Sequence, residues 1–296
     1  MVDQLNTALH NVEIRRVGTK NGAIHVRHFP GNGPAFLLLH GFPDNSRIYD
    51  DLIPHLVAGG RQVVAIDFLG FGASEKPADA QYSFAQQIAD VEAVAKELNL
   101  PTVIPVGHDA GGPAAINFAL KHPQQTAAVV VINAFYGDAP GLLVPELIEV
   151  FSHKPLKALQ QHFLRSPEQF AWLLNFQRER MSADLTEQQK RRYQELLGPV
   201  IDENFRQQPS AGPAFAQMTY QLGDEVASNT ARLVELRRSH VPFTFVWGRN
   251  DPYLHVTVAE YMCSQVRQGV LHVLDAGHWP QIDESSAVAN IMLGVR

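Results

Sequence analysis

The chain is organised around the stretch Thr102-Val103-Ile104-Pro105-Val106-Gly107-His108-Asp109-Ala110-Gly111-Gly112-Pro113. Residues 102–106 form an apolar run of the kind buried on both faces of a parallel sheet. A glycine-rich turn at 107–112 follows, and helical periodicity runs from about 113 to 120. Asp109 stands at the apex of this strand, turn and helix. Glycines on either side let the backbone close tightly around a residue held in a strained turn. Such a turn projects one side chain at the carboxyl end of the sheet, where open α/β sheets place their ligands. An Asp at this place can also do no more than cap the helix that follows.

Upstream, residues 12–17 and 23–29 read as a strand pair broken by the turn signal Asn21-Gly22. Residues 35–40 form a second buried strand that runs into the breaker Gly41-Phe42-Pro43. Helical periodicity over 46–56, a strand over 62–68 and a helix over 83–98 lead back to the Asp109 turn. Downstream come a strand over 127–132 and then, after a long interruption, a strand over 242–247, a helix over 256–265, a strand over 270–274 and a helix over 285–293. This alternation predicts an α/β protein with a mostly parallel twisted sheet and helices on both faces. The interruption is rich in Gln, Arg and Glu and holds no convincing β run. The expected organisation is therefore a core domain over 1–137 and 240–296 with a helical cap inserted over 138–239.

Composition narrows the function classes. The 296 residues are 45% hydrophobic and 18% charged, which excludes a disordered or fibrous chain. Lys and Arg total 24 against 30 Asp and Glu, a formal charge of −6, and no basic block is present. Nucleic acid is not an expected partner. Cys263 is the single cysteine and residues 1–4 lack the features of a secretory leader, so a cytoplasmic location is expected. No apolar run reaches the roughly 20 residues of a membrane-spanning helix, and no membrane partner is expected. Neither a metal-ligand spacing nor a phosphate-binding loop occurs, so no metal or other cofactor is expected.

Two later segments give Asp109 partners. Val246-Trp247-Gly248-Arg249-Asn250-Asp251-Pro252 places an Asp after a buried strand, and Leu274-Asp275-Ala276-Gly277-His278-Trp279 places a His after the last strand. The order is nucleophile, acid, histidine. With the turn at Asp109, this resembles the α/β-hydrolase family from about residue 11 to the end, in the branch with an Asp nucleophile that holds epoxide hydrolases and dehalogenases. Asp138, after the sixth strand, is the rival for the acid, since some relatives carry it there. A carboxylate is already ionised near its reference pKa of about 3.9, so it can attack an sp³ carbon without a base. The enzyme ester that results then needs a water activated by His278, with Asp251 orienting the imidazole. The resemblance implies that the backbone N–H groups of Phe42 and Ala110 stabilise the oxyanion of that hydrolysis. His40 and His108 are expected to be structural hydrogen-bonding groups.

The leaving group depends on the electrophilic help available. An opened epoxide needs a proton donor, whereas a departing halide needs N–H donors such as Trp indoles. Haloalkane dehalogenases commonly carry Trp after the nucleophile; here the residue is Ala110. Fluoroacetate dehalogenases carry Arg there and three residues on; here the residues are Ala110 and Pro113. The resemblance therefore points to an epoxide hydrolase acting on a small apolar or aromatic epoxide, with Tyr220 and His162 as candidate cap proton donors and Tyr193 and Tyr136 as further ones. Trp279, Trp172 and Phe176 are candidates for lining the substrate space. A dehalogenase with the same three residues, or a non-catalytic binding protein on this fold, are the alternatives. The oligomeric form left open is a homodimer.

Overall fold

The computed structural model describes residues 12–295; residues 1–4, read above for a leader, lie outside the described residues. Eight strands form one sheet: β1 (Glu13–Thr19), β2 (Gly22–Phe29), β3 (Asn32–Leu39), β4 (Arg61–Asp67), β5 (Val103–His108), β6 (Val129–Ile132), β7 (Phe243–Gly248) and β8 (Gly269–Leu274). Their spatial order is β1-β2-β4-β3-β5-β6-β7-β8. β1 and β2 form an antiparallel hairpin in which Thr19 pairs with Gly22, and β2 is antiparallel to β4. Every pair from β4 to β8 is parallel.

The central strands carry little polar side chain because both of their faces are covered. All six residues of β5 are buried, as are the last five of β3. The chain leaves β3 toward β4 on one side, and after β4 it crosses back to β5 on the other. The loops after β3 and β5 thus diverge and open a crevice at the carboxyl end of the sheet. Leu39 is in register with Gly107, so the loop carrying Phe42 and the turn carrying Asp109 emerge side by side.

The expected helix over 46–56 is instead a 3-10 turn, Ser46–Tyr49, followed by a short α-helix, Ile53–Ala58. Asn45 starts the first by accepting the Arg47 N–H. Pro54 lacks an N–H and belongs in a first helical turn, so the second segment starts afresh there. Between β6 and β7 the described elements are all helical, chiefly Glu146–Ser152, Lys157–Arg165, Pro167–Ser182, Glu187–Arg192, Gly198–Arg206, Gly212–Tyr220 and Leu222–Leu236. These helices pack over the crevice through aromatic contacts. Phe215 meets Phe42 edge-on at 6.1 Å and Phe151 at 5.0 Å. A buried polar tie reinforces the contact. Asn204 Nδ2 donates to the carbonyls of Pro43 (2.6 Å) and Asp44 (2.8 Å), and its Oδ1 accepts the Gly72 N–H (2.8 Å). Among the described residues no helix is long and apolar enough to cross a membrane.

Candidate active site

Asp109 sits between β5 and the helix Gly111–Lys121 with a φ of 49°, a left-handed backbone that Asp tolerates better than most residues. The flanking glycines make the turn possible. A Cβ on Gly107 would collide with the Gly111 carbonyl, and one on Gly111 with the Leu39 carbonyl. The Asp109 N–H is held by the carbonyl of Asn133 at 3.1 Å. The Asp109 side chain does not cap the helix. Its Oδ2 accepts the Phe42 N–H at 3.3 Å, and the Ala110 N–H also bonds to the carboxylate. Two backbone donors therefore converge on the carboxyl group itself, where they can hold a negative oxygen that develops on its carbon. Burial pushes the Asp109 carboxyl above its ordinary range, opposed by His278 and these two donors.

His278 lies between two carboxylates. Its Nδ1 is 2.7 Å from Asp251 Oδ2, and its Nε2 is 3.9 Å from Asp109 Oδ1. Asp251 is fully saturated: Oδ1 accepts the Tyr253 and Leu254 N–H groups at 2.9 and 3.0 Å, and Oδ2 also accepts Asn133 Nδ2 at 2.8 Å. Burial alone would raise the Asp251 pKa, but the His278 charge and these donors hold it below the ordinary value. Burial acts to lower His278, and the Asp251, Asp109 and Asp44 charges outweigh it, taking the imidazole to about 9. Asp138 is exposed at the cavity edge and makes no hydrogen bond to His278.

Asp44, two residues beyond Phe42, is a carboxyl that the sequence reading passed over. It is 2% exposed, and its Oδ2 accepts the Trp279 Nε1–H at 2.9 Å. Its Oδ1 has no hydrogen-bond partner among the described residues. Burial first, then the nearby Asp109 charge, drive its pKa to about 7 against the pull of Trp279 and His278. His108 is also buried, and Nε2 is 2.8 Å from the His278 carbonyl. His40 binds the Gly41 carbonyl through Nδ1 at 2.5 Å and takes the Phe68 N–H on Nε2 at 3.0 Å, so it braces two loops as a neutral imidazole.

Asp109, Asp44, His278, Phe42 and Trp279 line one side of a cavity of about 450 Å³ whose other walls come largely from the helical segment. Tyr220 lines it as well. Its residue is 42% exposed, and its hydroxyl makes no hydrogen bond among the described residues. Two expected site residues are placed elsewhere. His162 is exposed on the helix Lys157–Arg165, which buries only Gln160, and does not line the cavity. Trp172 is 63% exposed and stacks on Phe176 at 5.9 Å. The helix Pro167–Ser182 buries Phe170, Leu173, Leu174, Gln177 and Met181, a stripe at helical spacing that turns Trp172 outward. Tyr193 and Tyr136 are buried outside the cavity, their hydroxyls bonded to Asp283 (3.2 Å) and Asn117 (2.9 Å). Asn133, which binds both Asp109 and Asp251, was also missed; its signal was a polar residue directly after a buried strand. Among the described residues no three His, Cys, Asp or Glu side chains gather as a metal site.

The sequence profile of the alpha/beta hydrolase fold matches residues 34–285. The chain is 27% identical over 294 residues to bifunctional epoxide hydrolase 2 of Sus scrofa. That alignment covers 89% of this chain and 51% of the relative, so the chain spans about half of that protein. It is 28% identical over 251 residues to a haloalkane dehalogenase of Mycobacterium marinum, covering 83% and 79% of the two chains. Among solved structures, a 2-hydroxy-6-oxo-6-phenylhexa-2,4-dienoate hydrolase from Rhodococcus shares the fold with a TM-score of 0.76 at 19% identity, covering 95% of this chain and 98% of the other. The profile match runs through β3, the Asp109 turn and the His278 loop, and this chain belongs to the alpha/beta hydrolase fold family, with relatives among the epoxide hydrolases and the dehalogenases.

Proposed function

We propose that this protein hydrolyses a small apolar or aromatic epoxide to a vicinal diol through an ester on Asp109. Residues 138–239 serve as the cap that selects the substrate. Asp109 attacks one ring carbon, its Oδ–C bond forming as the C–O bond breaks, and Tyr220 donates a hydrogen bond to the released oxygen as that oxygen takes up a proton. Esterification removes the Asp109 charge, one of the charges that hold His278 protonated. The imidazolium then gives up that proton, and the neutral ring takes one from water, which attacks the ester carbon while the Phe42 and Ala110 N–H groups hold the oxyanion. Asp251 keeps the ring oriented and stabilises its charged form.

The observation that carries the choice of leaving group is the disposition of the three indoles. Trp247 Nε1 donates to the Leu254 carbonyl at 2.7 Å, Trp279 Nε1 donates to Asp44, and Trp172 stands on the surface. None is free to hold a halide beside Asp109. Arg178 lines the cavity but is committed to Asp202 at 2.7 Å, so a carboxylate clamp for a haloacid is not favoured either. The likeness to a haloalkane dehalogenase keeps halide expulsion as the second reading.

The test is a His278→Gln variant incubated separately with styrene oxide, a chloroalkane and a haloacetate, with mass spectrometry of the Asp109 peptide. An adduct from the epoxide and none from the halides is expected. An adduct from a halide alone would establish the second reading, and no adduct from a broad panel would favour a binding protein.

A further inference from the structure

Resting on the epoxide reading, the geometry points to Asp44 as the catalytic residue that gives the released oxygen its proton, an acid supplied from the core beside the hydrogen bond of the cap. The cap side is short of donors: His162 is on the surface, and the Tyr193 and Tyr136 hydroxyls are bonded outside the cavity. Tyr253 lines the cavity, but its hydroxyl is held between Gln177 Nε2 and the Glu146 carboxylate. Tyr220 is left as the cap's hydroxyl. Asp44 lines the same cavity from the loop that carries Phe42.

The surroundings of Asp44 favour its neutral form and locate its proton. Groups facing it are the Asp109 carboxylate, the His278 imidazole, the His108 imidazole, the Trp279 indole and the Tyr49 phenol. Tyr49 donates to the Leu39 carbonyl at 2.8 Å and offers Asp44 nothing. Burial holds His108 neutral, and its Nε2 must carry the hydrogen given to the His278 carbonyl. The bare Nδ1 lone pair then faces Asp44 Oδ2 from 3.7 Å, an arrangement that repels a carboxylate. Trp279 donates to Oδ2, so the proton resides on Oδ1, the oxygen with no partner. A buried carboxylic acid kept neutral near pH 7 is a hydrogen-bond and proton donor.

The proton balance closes. As Asp109 opens the ring, the electron pair of the broken C–O bond goes to oxygen, which takes the Oδ1 proton and leaves Asp44 ionised. In the second step the His278 imidazolium, released from the Asp109 charge, first gives its proton to the ionised Asp44; the neutral ring then takes one proton from the water that adds to the ester carbon and passes it to the departing alcohol oxygen. The second water proton, left on the regenerated Asp109 acid, returns to His278. The sum is epoxide plus water to diol.

The experiment follows the rate of Asp109 adduct formation from styrene oxide in His278→Gln between pH 5 and 9, and repeats it with Asp44→Asn and Asp44→Glu added. The rate should fall as pH rises above about 7, the value Asp44 has beside the His278 charge, because the Gln removes a cation that favours loss of the Asp44 proton. Asp44→Asn should slow it on the order of 10²-fold at pH 6 and abolish that alkaline fall, and Asp44→Glu should restore part of both. A rate in His278→Gln that shows no fall up to pH 9 overturns the role without any Asp44 variant. Equal rates with and without Asp44→Asn overturn it while the epoxide reading stands. No epoxide adduct in His278→Gln overturns both.

Discussion

Asn133 donates its side-chain amide to Asp251 Oδ2 across 2.8 Å, onto the same oxygen that faces His278 Nδ1 at 2.7 Å. Its Oδ1 takes the Gly248 N–H at 2.7 Å, and its carbonyl takes the Asp109 N–H at 3.1 Å. One residue at the end of β6 thus ties the turn of Asp109 to the loop of Asp251. Replacement by Ala leaves the buried Gly248 N–H without a partner and puts a residue less tolerant of the left-handed φ of 29° at that position. A loss of about 1–3 kcal/mol in chemical denaturation is expected. The ester on Asp109 should accumulate in turnover, because water activation depends on the orientation of His278 more than the first attack does.

Tyr220 and the two displaced candidates make a matched set. Tyr220→Phe removes the hydroxyl of a residue that lines the cavity and should lower kcat/KM for an epoxide on the order of 10²-fold with little change in stability. His162→Ala and Trp172→Ala, altering exposed positions away from the cavity, should leave kcat/KM within about twofold. Steady-state kinetics on the three variants checks this, and a large loss in either of the latter would contradict the placement of those side chains.

Stability should move opposite to activity at Asp44. Its pKa is about 7 in the folded chain and about 3.9 in the unfolded one, so the unfolded state gives up the proton first. Folding stability is then lost as pH rises from about 4 to 7, and the full cost is present above that. Asp44→Asn keeps the shape of the neutral acid and removes the cost. Its Tm should exceed that of the unaltered protein at pH 8, by an amount corresponding to up to about 4 kcal/mol, and match it near pH 4. A lower Tm at pH 8 would show that the carboxylate is better accommodated than its surroundings imply.

Asn204 joins the helical segment to the loop that carries Phe42. Asn204→Ala strands the Gly72 N–H and removes both donors to the Pro43 and Asp44 carbonyls. A loss of about 2–4 kcal/mol is expected from the buried groups left unpaired. Because Phe42 adjoins Pro43, kcat should fall more than KM changes. Thermal melting and steady-state kinetics on one preparation read both.

The strands and the turn at Asp109 were legible from sequence because they rest on near neighbours: buried β-branched runs, the Asn21-Gly22 hairpin and glycines spaced around one Asp. The break of the 46–56 segment was a local signal too, in Asn45 and Pro54, that apolar periodicity masked. The pairing of His278 with Asp251 rather than Asp138 was expected from the loop around Asp251, and the geometry joins the first two. The segment between β6 and β7 was legible as helical and little more. Helical spacing alone cannot say which stripe of Pro167–Ser182 finds the core, and so whether Trp172 turns toward substrate or solvent.

From sequence alone came an α/β sheet interrupted by helices, an Asp in a strained turn, and an acid and a histidine following it in hydrolase order. Each of these is written in runs of fewer than twenty residues, the range over which periodicity and turn chemistry operate. Tertiary packing alone brought Asp44 against Trp279, 235 residues away, and left Oδ1 of that carboxyl buried without a partner. It also set Asn133 between two loops and sent His162 to the surface. The burial and charge that make Asp44 an acid or His278 a cation are sums over neighbours from distant segments, and those neighbours exist only once the chain has folded.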